Sequence, residues 1–403
     1  MATELSTALL QQIANEYGTP VYVYDADKIK EQYKRLITAF NTDKVRFFYA
    51  CKALTNINIL KVLKNEGCNI DCSSINEVKL ALYAGFEPKN ILYTSNGIGF
   101  EEIEEAQSLG VIINIDSLSN LEKFGKKFGN SYPVGVRLRP NILAGGHLKI
   151  STGHDKSKFG IPVEQLDLLK AVVQQYDIQL TNLHIHTGSD IKDADIFLKG
   201  IAVLFDIIPH FPHLKSVDLG GGFKVAYKED DPYLNIEELA VKVLQAFEAH
   251  ERTRHLQIWF EPGKFLVSEC GYFITKVNVL KETATTTFAG VNSGFNHLIR
   301  PMFYDAYHRI ENITNPQGAI KEYTVTGNIC ETDTFAWSRP LPEVREGDLL
   351  VFRNAGAYGF EMSSNYNSRF KPAEVLVESG KPRLIRKRDV FEDLLRNQII
   401  DTE

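Results

Sequence analysis

Residues 46–56, RFFYACKALTN, carry an apolar run that ends directly on an ammonium. Phe47, Phe48, Tyr49, Ala50 and Cys51 read as a buried strand, and Lys52 follows without a break. A lysine in that position is either a solvated charge closing the strand or a desolvated amine able to form a Schiff base with a carbonyl compound. Its companions bear on the choice. DLGGGF (218–223) sets Gly220, Gly221 and Gly222 behind a second apolar run, where backbone N–H groups can approach an anion without Cβ interference. FEPGK (260–264) adds Glu261, either a salt-bridge partner or the carboxylate that keeps a pyridine nitrogen protonated. Lysine for an aldehyde, glycines for a phosphate and a carboxylate for a ring nitrogen form one set, suited to pyridoxal 5'-phosphate.

HIHTGSD (184–190) raises a competing chemistry. His184 and His186 are two apart on a strand pattern, so both face one side, as metal ligands would. A metal-dependent hydrolase is therefore a rival, although no further His and Asp set is obvious at neighbouring strand ends. The reading preferred here stacks His186 on a cofactor ring, puts Ser189 near the phosphate and leaves His184 as a packing or supporting residue, with no metal.

Elements that could hold such a set are visible. Apolar runs at 45–50, 69–74, 90–95, 111–116, 133–140, 180–188, 215–222 and 256–263 read as eight strands. Between them lie amphipathic segments such as 56–67, 75–85 and 100–110, which end in Gly67, Gly85 and Gly110 as helix C-caps prefer. Eight strand-helix repeats match a (β/α)8 TIM barrel, an α/β fold whose active site lies at the C-terminal strand ends; a doubly wound open sheet is the alternative. After Gly263 the runs 270–291, 322–332, 347–356 and 373–379 are rich in Val, Thr, Phe and Tyr and read as an antiparallel β-sandwich or barrel domain. The strand-like 19–25 is expected to join that C-terminal domain. The boundaries are thus 27–268 for the cofactor barrel, with 1–26 and 269–403 forming the β domain.

A net charge of −6 without basic runs argues against a nucleic-acid partner. No apolar run approaches the length of a membrane span, and the first residues carry no basic-then-apolar leader, so no membrane association and a cytoplasmic location are expected. Five cysteines suit reduced thiols better than a disulfide framework, with Cys68 and Cys72 as small buried side chains.

The motifs YACKA, HIHTGS, DLGGGF, EPGK, NICETDTFA, NAGAYGF and NYNSR follow one another in an order that resembles the diaminopimelate decarboxylases, pyridoxal enzymes of the alanine racemase and ornithine decarboxylase fold group. The resemblance spans about residues 18–376. It implies a head-to-tail homodimer with active sites at the interface, and decarboxylation of the amino acid meso-diaminopimelate at its D-centre to L-lysine and carbon dioxide. Carried over, Lys52 binds the cofactor aldehyde, Glu261 its ring nitrogen, and Gly220–Gly222 its phosphate. Asp71 in the second strand and Gly263 in EPGK complete the cofactor set. Tyr358 serves the phosphate and the substrate. Cys330 is the proton donor, reaching in from the partner subunit, and Glu331 binds the distal ammonium of the substrate. Arg300, with Tyr304 four residues on, grips the carboxylate that does not react, as a planar guanidinium can. Lys264 stands where most members have Arg, so its hold on substrate is a point charge. CETDTFA in place of CESGD and Asn292-Ser293 in place of Asp-Ala are further departures. Other readings are a carboxynorspermidine or other basic amino acid decarboxylase, an amino acid racemase, and a non-catalytic pyridoxal carrier. The glycines and charges of 144–160 suggest a mobile loop.

Overall fold

Alternation along one strand explains much of the barrel. The structure is a computed structural model that describes residues 4–142 and 157–399, so most of the 144–160 loop lies outside the described residues. The chain divides into two compact units, Gln32–Ala226 with Pro232–Leu266, and Met1–Glu31 with Tyr227–Asp231 and Val267–Glu403. The excursion at Tyr227–Asp231 is one that sequence boundaries do not anticipate. The first strand, β1 (Val21–Asp25), belongs to the second of these units.

In the first unit the strands are β2 (Val45–Ala50), β3 (Asn69–Cys72), β4 (Ile91–Thr94), β5 (Ile112–Ile115), β6 (Val134–Arg139), β7 (Ile161–Pro162), β8 (Leu180–Ile185), β9 (Ser216–Asp218) and β10 (Gln257–Phe260). All are parallel, and their order β2-β3-β4-β5-β6-β8-β9-β10 closes on itself through β10–β2 pairing, while the two-residue β7 only lies beside β6. The eight expected strands are therefore the eight of a closed barrel, and the open-sheet alternative falls. Gly67, Gly85 and Gly110 all have positive φ (85°, 90° and 73°) just after helices Ile57–Asn65, Ile75–Tyr83 and Phe100–Ser108, as C-caps require.

On β2, Phe47 packs outward on Phe40 of the helix Ala26–Phe40, at 5.4 Å between ring centroids. Arg46 and Phe48, on the opposite face, point inward. The guanidinium of Arg46 covers the rings of Phe48 and Trp259 and bonds Asn69 and Asn90, plugging the N-terminal end. Above it runs a hydrogen-bonded polar chain: Asn114 donates to Thr94 (3.1 Å), Asn182 to Asn114 (2.9 Å) and Ser216 to Asn182 (2.9 Å). These side chains are buried, and mutual pairing compensates their desolvation. A Cβ at Gly135 would lie 2.0 Å from the Asn114 oxygen, so glycine is needed where β6 faces this layer.

The second unit holds β11 (Gly271–Glu282), β12 (Thr287–Val291), β13 (Ile310–Asn312), β14 (Ile320–Thr326), β15 (Thr334–Pro342), β16 (Leu349–Phe352), β17 (Ala373–Glu378) and β18 (Lys381–Arg386). β1 pairs with both β11 and β17, as expected of the N-terminal strand. The sheet is not antiparallel throughout, however. β1–β17 and β12–β14 are parallel, so the nine strands form a mixed sheet. Neither pair is joined by a tight turn, and only a tight turn obliges two strands to run in opposite directions. The twelve-residue β11 is long enough to pair with β1 and β16 along its first half and with β12 along its second. Leu10, Ile13, Val21, Val23, Ile274 and Val375 form the core of this unit. Residues 327–333 leave the strand pattern, so Cys330 stands in a loop and not in the strand expected over 322–332. Asp333 makes that loop, its carboxylate accepting from Ile329 N–H (3.1 Å) and Phe295 N–H (2.8 Å).

Candidate active site

Two residues beyond the buried polar chain, on the same inward faces, lie the ionisable groups of the barrel mouth. Period-two alternation turns Asn69 into Asp71, Asn114 into Asp116, Gly135 into Arg137, Asn182 into His184, Ser216 into Asp218 and Trp259 into Glu261. All six of these are buried. Lys52 extends the Arg46, Phe48, Ala50 series and sits, exposed, in a single 3-10 turn whose flanking Cys51 and Ala53 are buried. The packed strand thus anchors the backbone while the amine stands at the rim.

Glu261 is the centre of the cluster. Its Oε2 lies 3.4 Å from His184 Nε2, and its Oε1 is buried without a hydrogen-bond partner among the described residues. Burial alone would raise its pKa, yet His184 and Lys52 outweigh that and hold the carboxyl well below the usual range. Asp71 and Asp218 go the other way, pushed up by burial and by the charge on Glu261. Of three neighbouring carboxyls, Glu261 keeps the negative charge and the other two favour the proton. Burial, with Arg137 and Lys52 nearby, drives His186 toward neutrality.

His186 lies one residue past β8, and its Nδ1 accepts from Gly221 N–H (3.3 Å), which leaves Nε2 to carry the ring proton. Asp218 Oδ1 accepts from Gly220 N–H (2.9 Å), tying the glycine loop to the same cluster. Each of the three glycines is required by contact: a Cβ would lie 2.6 Å from His186 Nδ1 at Gly220, 2.1 Å from Glu261 O at Gly221 and 2.0 Å from Gly188 O at Gly222. Ser189 follows Gly188 in the facing loop. Gly263 is less confined, with Ala50 Cβ at 3.3 Å. Lys264 is ion-paired with Asp190, so the point charge expected to meet substrate already has a carboxylate beside it.

This arrangement fits the cofactor inferred from sequence. Side-chain-free backbone is available for a phosphate, and an ionised carboxylate with an unsatisfied buried oxygen is available for a ring N–H. Asp116, Arg137 and Asp218 were not singled out from sequence; reading each strand end at period two would have found them. The metal alternative gains something the sequence did not reveal, since donor atoms of His184, Asp218 and Glu261 lie within 4.8 Å of one another. β8, β9 and β10 are adjacent in the closed sheet, which brings together residues far apart in the chain. Lys52 and Arg137 put positive charge in the same mouth, which opposes a divalent cation and suits an anionic ligand.

In the second unit, Arg300 opens the short helix Arg300–Tyr304 and is buried. Its Nη1 donates to Tyr227 Oη (3.0 Å) and contacts His308 Nε2 (3.2 Å), and the guanidinium stacks 4.8 Å from the Tyr227 ring centroid. His308 Nδ1 lies 2.8 Å from the Arg353 carbonyl, so Nδ1 carries the proton and Nε2 accepts from Arg300. Burial and the Arg300 charge push His308 down to about 3. Tyr304, at the other end of the helix, is half-buried. Tyr358 has φ +57°, a left-handed conformation that a bulky side chain adopts at a cost. Cys330 and Glu331 are exposed. Tyr366 donates to Glu331 (2.5 Å), and Asn367 contacts both the Cys330 N–H and its sulfur. The other four cysteines are buried and all five are free thiols.

Residues 26–268 match the family described as pyridoxal-dependent decarboxylase, pyridoxal binding domain. The chain is 40% identical over 399 residues to the diaminopimelate decarboxylase of Methanothermobacter thermautotrophicus, covering 96% of this chain and 93% of that one. It belongs to the diaminopimelate decarboxylase family. The Escherichia coli K12 member is 34% identical across 99% of this chain and 98% of its own. The crystal structure of the Helicobacter pylori diaminopimelate decarboxylase complexed with L-lysine superposes with a TM-score of 0.88 at 34% identity, covering 96% of this chain and 98% of that one. Lysine/ornithine decarboxylase from Vibrio vulnificus, at 23% identity and a TM-score of 0.81, shares the fold. The barrel is thus a pyridoxal-binding domain. Among the described residues no helix is long and apolar enough to cross a membrane.

Proposed function

We propose that this protein decarboxylates meso-diaminopimelate to L-lysine and carbon dioxide, with pyridoxal 5'-phosphate in the barrel mouth. Arg300 carries the substrate assignment. It is buried, and both hydrogen-bond partners found for it among the described residues, Tyr227 and the deprotonated His308, are neutral. A buried cation without a countercharge favours an anionic ligand, and the unreacting end of diaminopimelate offers a carboxylate that ornithine and lysine lack there.

When bound, the cofactor supplies a cationic ring that accepts the electron pair left as carbon dioxide departs. Lys52 is the amine for its aldehyde, and Glu261, held ionised, keeps a proton on the ring nitrogen. The Gly220–Gly222 loop offers the phosphate backbone free of side chains, its shape held by the Gly220 N–H bond to Asp218 and the Gly221 N–H bond to His186, and Ser189 and Tyr358 are assigned to the phosphate as the family resemblance implies. His186, its orientation set by Gly221, flanks the ring, while Asp71 and Gly263 complete the contacts. Arg300 and Tyr304 hold the distal carboxylate, Glu331 holds the distal ammonium, and Lys264 adds positive charge. Cys330 delivers a proton from Sγ to the carbon that lost its carboxylate. Two chains form a head-to-tail homodimer, in which Cys330 and Glu331 serve the partner's barrel; their exposure in the single chain supports this.

Purified protein reconstituted with pyridoxal 5'-phosphate is to be offered meso-diaminopimelate, ornithine, lysine and carboxynorspermidine, with carbon dioxide and product measured. Diaminopimelate is expected to be the best substrate by kcat/KM. Preference for carboxynorspermidine, or racemisation without carbon dioxide release, would overturn the assignment. Mixing inactive Lys52→Ala and Cys330→Ala proteins restores activity if sites are shared between subunits and leaves none if each chain is self-sufficient.

A further inference from the structure

The turn Tyr366–Ser368 holds two non-glycine residues in left-handed backbone, Asn367 at φ +55° and Ser368 at φ +54°. Such a conformation costs free energy and persists where surrounding structure demands it. What it achieves here is specific. The Asn367 side chain folds onto Cys330, Oδ1 accepting the Cys330 backbone N–H (3.1 Å) and Nδ2 donating to Cys330 Sγ (3.3 Å). One planar amide thereby spans backbone and thiol of a single residue. The accepted N–H leaves no ambiguity about which amide atom faces the sulfur. The neighbouring Tyr366 donates to Glu331 (2.5 Å), so adjacent residues of one turn serve adjacent residues of the Cys330–Glu331 pair.

We propose that Asn367 is the positioning residue for proton delivery by Cys330: its amide fixes the Sγ rotamer and, as a donor to sulfur, leaves the S–H free to point toward the carbon it protonates. This rests on the reading of Cys330 as proton donor and extends it. Without the amide the thiol rotates among its staggered wells, and productive orientation becomes occasional. The ionisable groups facing Cys330 are Glu331 beside it in the loop and Tyr366 from the opposing turn. Tyr366 is engaged first with Glu331 and more weakly with the thiol, so its loss acts mainly on the ammonium-binding carboxylate.

Three variants separate the possibilities. Asn367→Asp keeps an acceptor for the Cys330 N–H but replaces the donor to sulfur by an anion, which invites the S–H to turn toward it. Asn367→Gly removes both contacts while relieving the left-handed backbone, so its folding is secure. Tyr366→Phe leaves both Asn367 contacts to Cys330 in place. Both Asn367 variants are expected to lose about tenfold or more in kcat, the scale of impaired proton transfer, with KM within about twofold. Tyr366→Phe is expected to raise KM instead. A second readout needs no turnover: Cys330 is the exposed cysteine and the other four are buried, so iodoacetamide labelling of the holoenzyme reports its thiol. Labelling is expected to slow several-fold in Asn367→Asp, whose carboxylate opposes the reactive thiolate. Wild-type kcat and labelling rates in both Asn367 variants, alongside an impaired Cys330→Ala, would overturn the role of Asn367 alone. Wild-type kcat in Cys330→Ala would overturn the donor reading and this inference with it.

Discussion

Replacing Gly221 by alanine tests the phosphate-binding loop most directly. The added Cβ would stand 2.1 Å from the carbonyl oxygen of Glu261, where ordinary contact begins near 3.4 Å, leaving a shortfall of 3.4 − 2.1 = 1.3 Å. That carbonyl cannot simply swing aside. Its residue is buried, and Glu261 N–H is bonded to Gly220 O at 2.8 Å. Relief must therefore come from the loop, which shifts by about an ångström, and a shift of that size removes directional hydrogen bonds from a phosphate. Losing one charge-assisted bond costs about 1.5–3 kcal/mol, equivalent to about 10- to 150-fold in cofactor affinity. Equilibrium titration of cofactor-free protein with pyridoxal 5'-phosphate, followed by absorbance, measures this. Gly263→Ala, whose Cβ meets Ala50 and Ala53 at 3.3–3.5 Å and asks neighbours to give only slightly, is expected to lose less affinity than Gly221→Ala. A folded Gly221→Ala protein that binds the cofactor within about twofold of wild type would refute the assignment of this loop.

Lys52→Ala is expected to abolish both turnover and the visible absorbance of lysine-bound cofactor; an active, yellow variant would remove Lys52 from its role. Arg300→Lys keeps the charge but loses the planar fork, so KM for diaminopimelate should rise about tenfold with a smaller change in kcat, measured by steady-state kinetics. His308 gives a pH signature. Because its folded value is depressed to about 3, the unfolded chain binds a proton near pH 6.5 that the folded chain refuses, so stability falls as pH drops below about 6.5. Its share of the loss between pH 7 and pH 5 is about 2 kcal/mol, and His308→Gln, which can still accept from Arg300, should flatten that part of a denaturation-versus-pH curve.

How far residues reveal their partners depends on the range of the interaction that places them. The eight barrel strands and their glycine caps were legible because alternation and C-cap chemistry are local. The glycine loop and Glu261 were legible for the same reason, as short motifs at strand ends. Asp116, Arg137 and Asp218 were passed over, although the same alternation points them into the mouth. The grouping of His184, Asp218 and Glu261 was not legible, since it depends on which strands become neighbours. Tyr227 lies further beyond reach. It sits in a loop after a barrel strand yet bonds Arg300, 73 residues away. The parallel pairing of β1 with β17 escaped notice for a related reason, as no local turn sets its direction.

By itself, then, the amino-acid order determined the repeat of strands and helices, the inward and outward faces of each, and the cofactor chemistry its motifs permit, because these follow from periodicity and side-chain type. Closure of the sheet decided the rest. It set Glu261 beside His184, which determines which carboxyl keeps its charge, and burial beside Arg300 made His308 a neutral acceptor. Protonation depends on burial and on the distance between charges, and both exist only once the chain has folded.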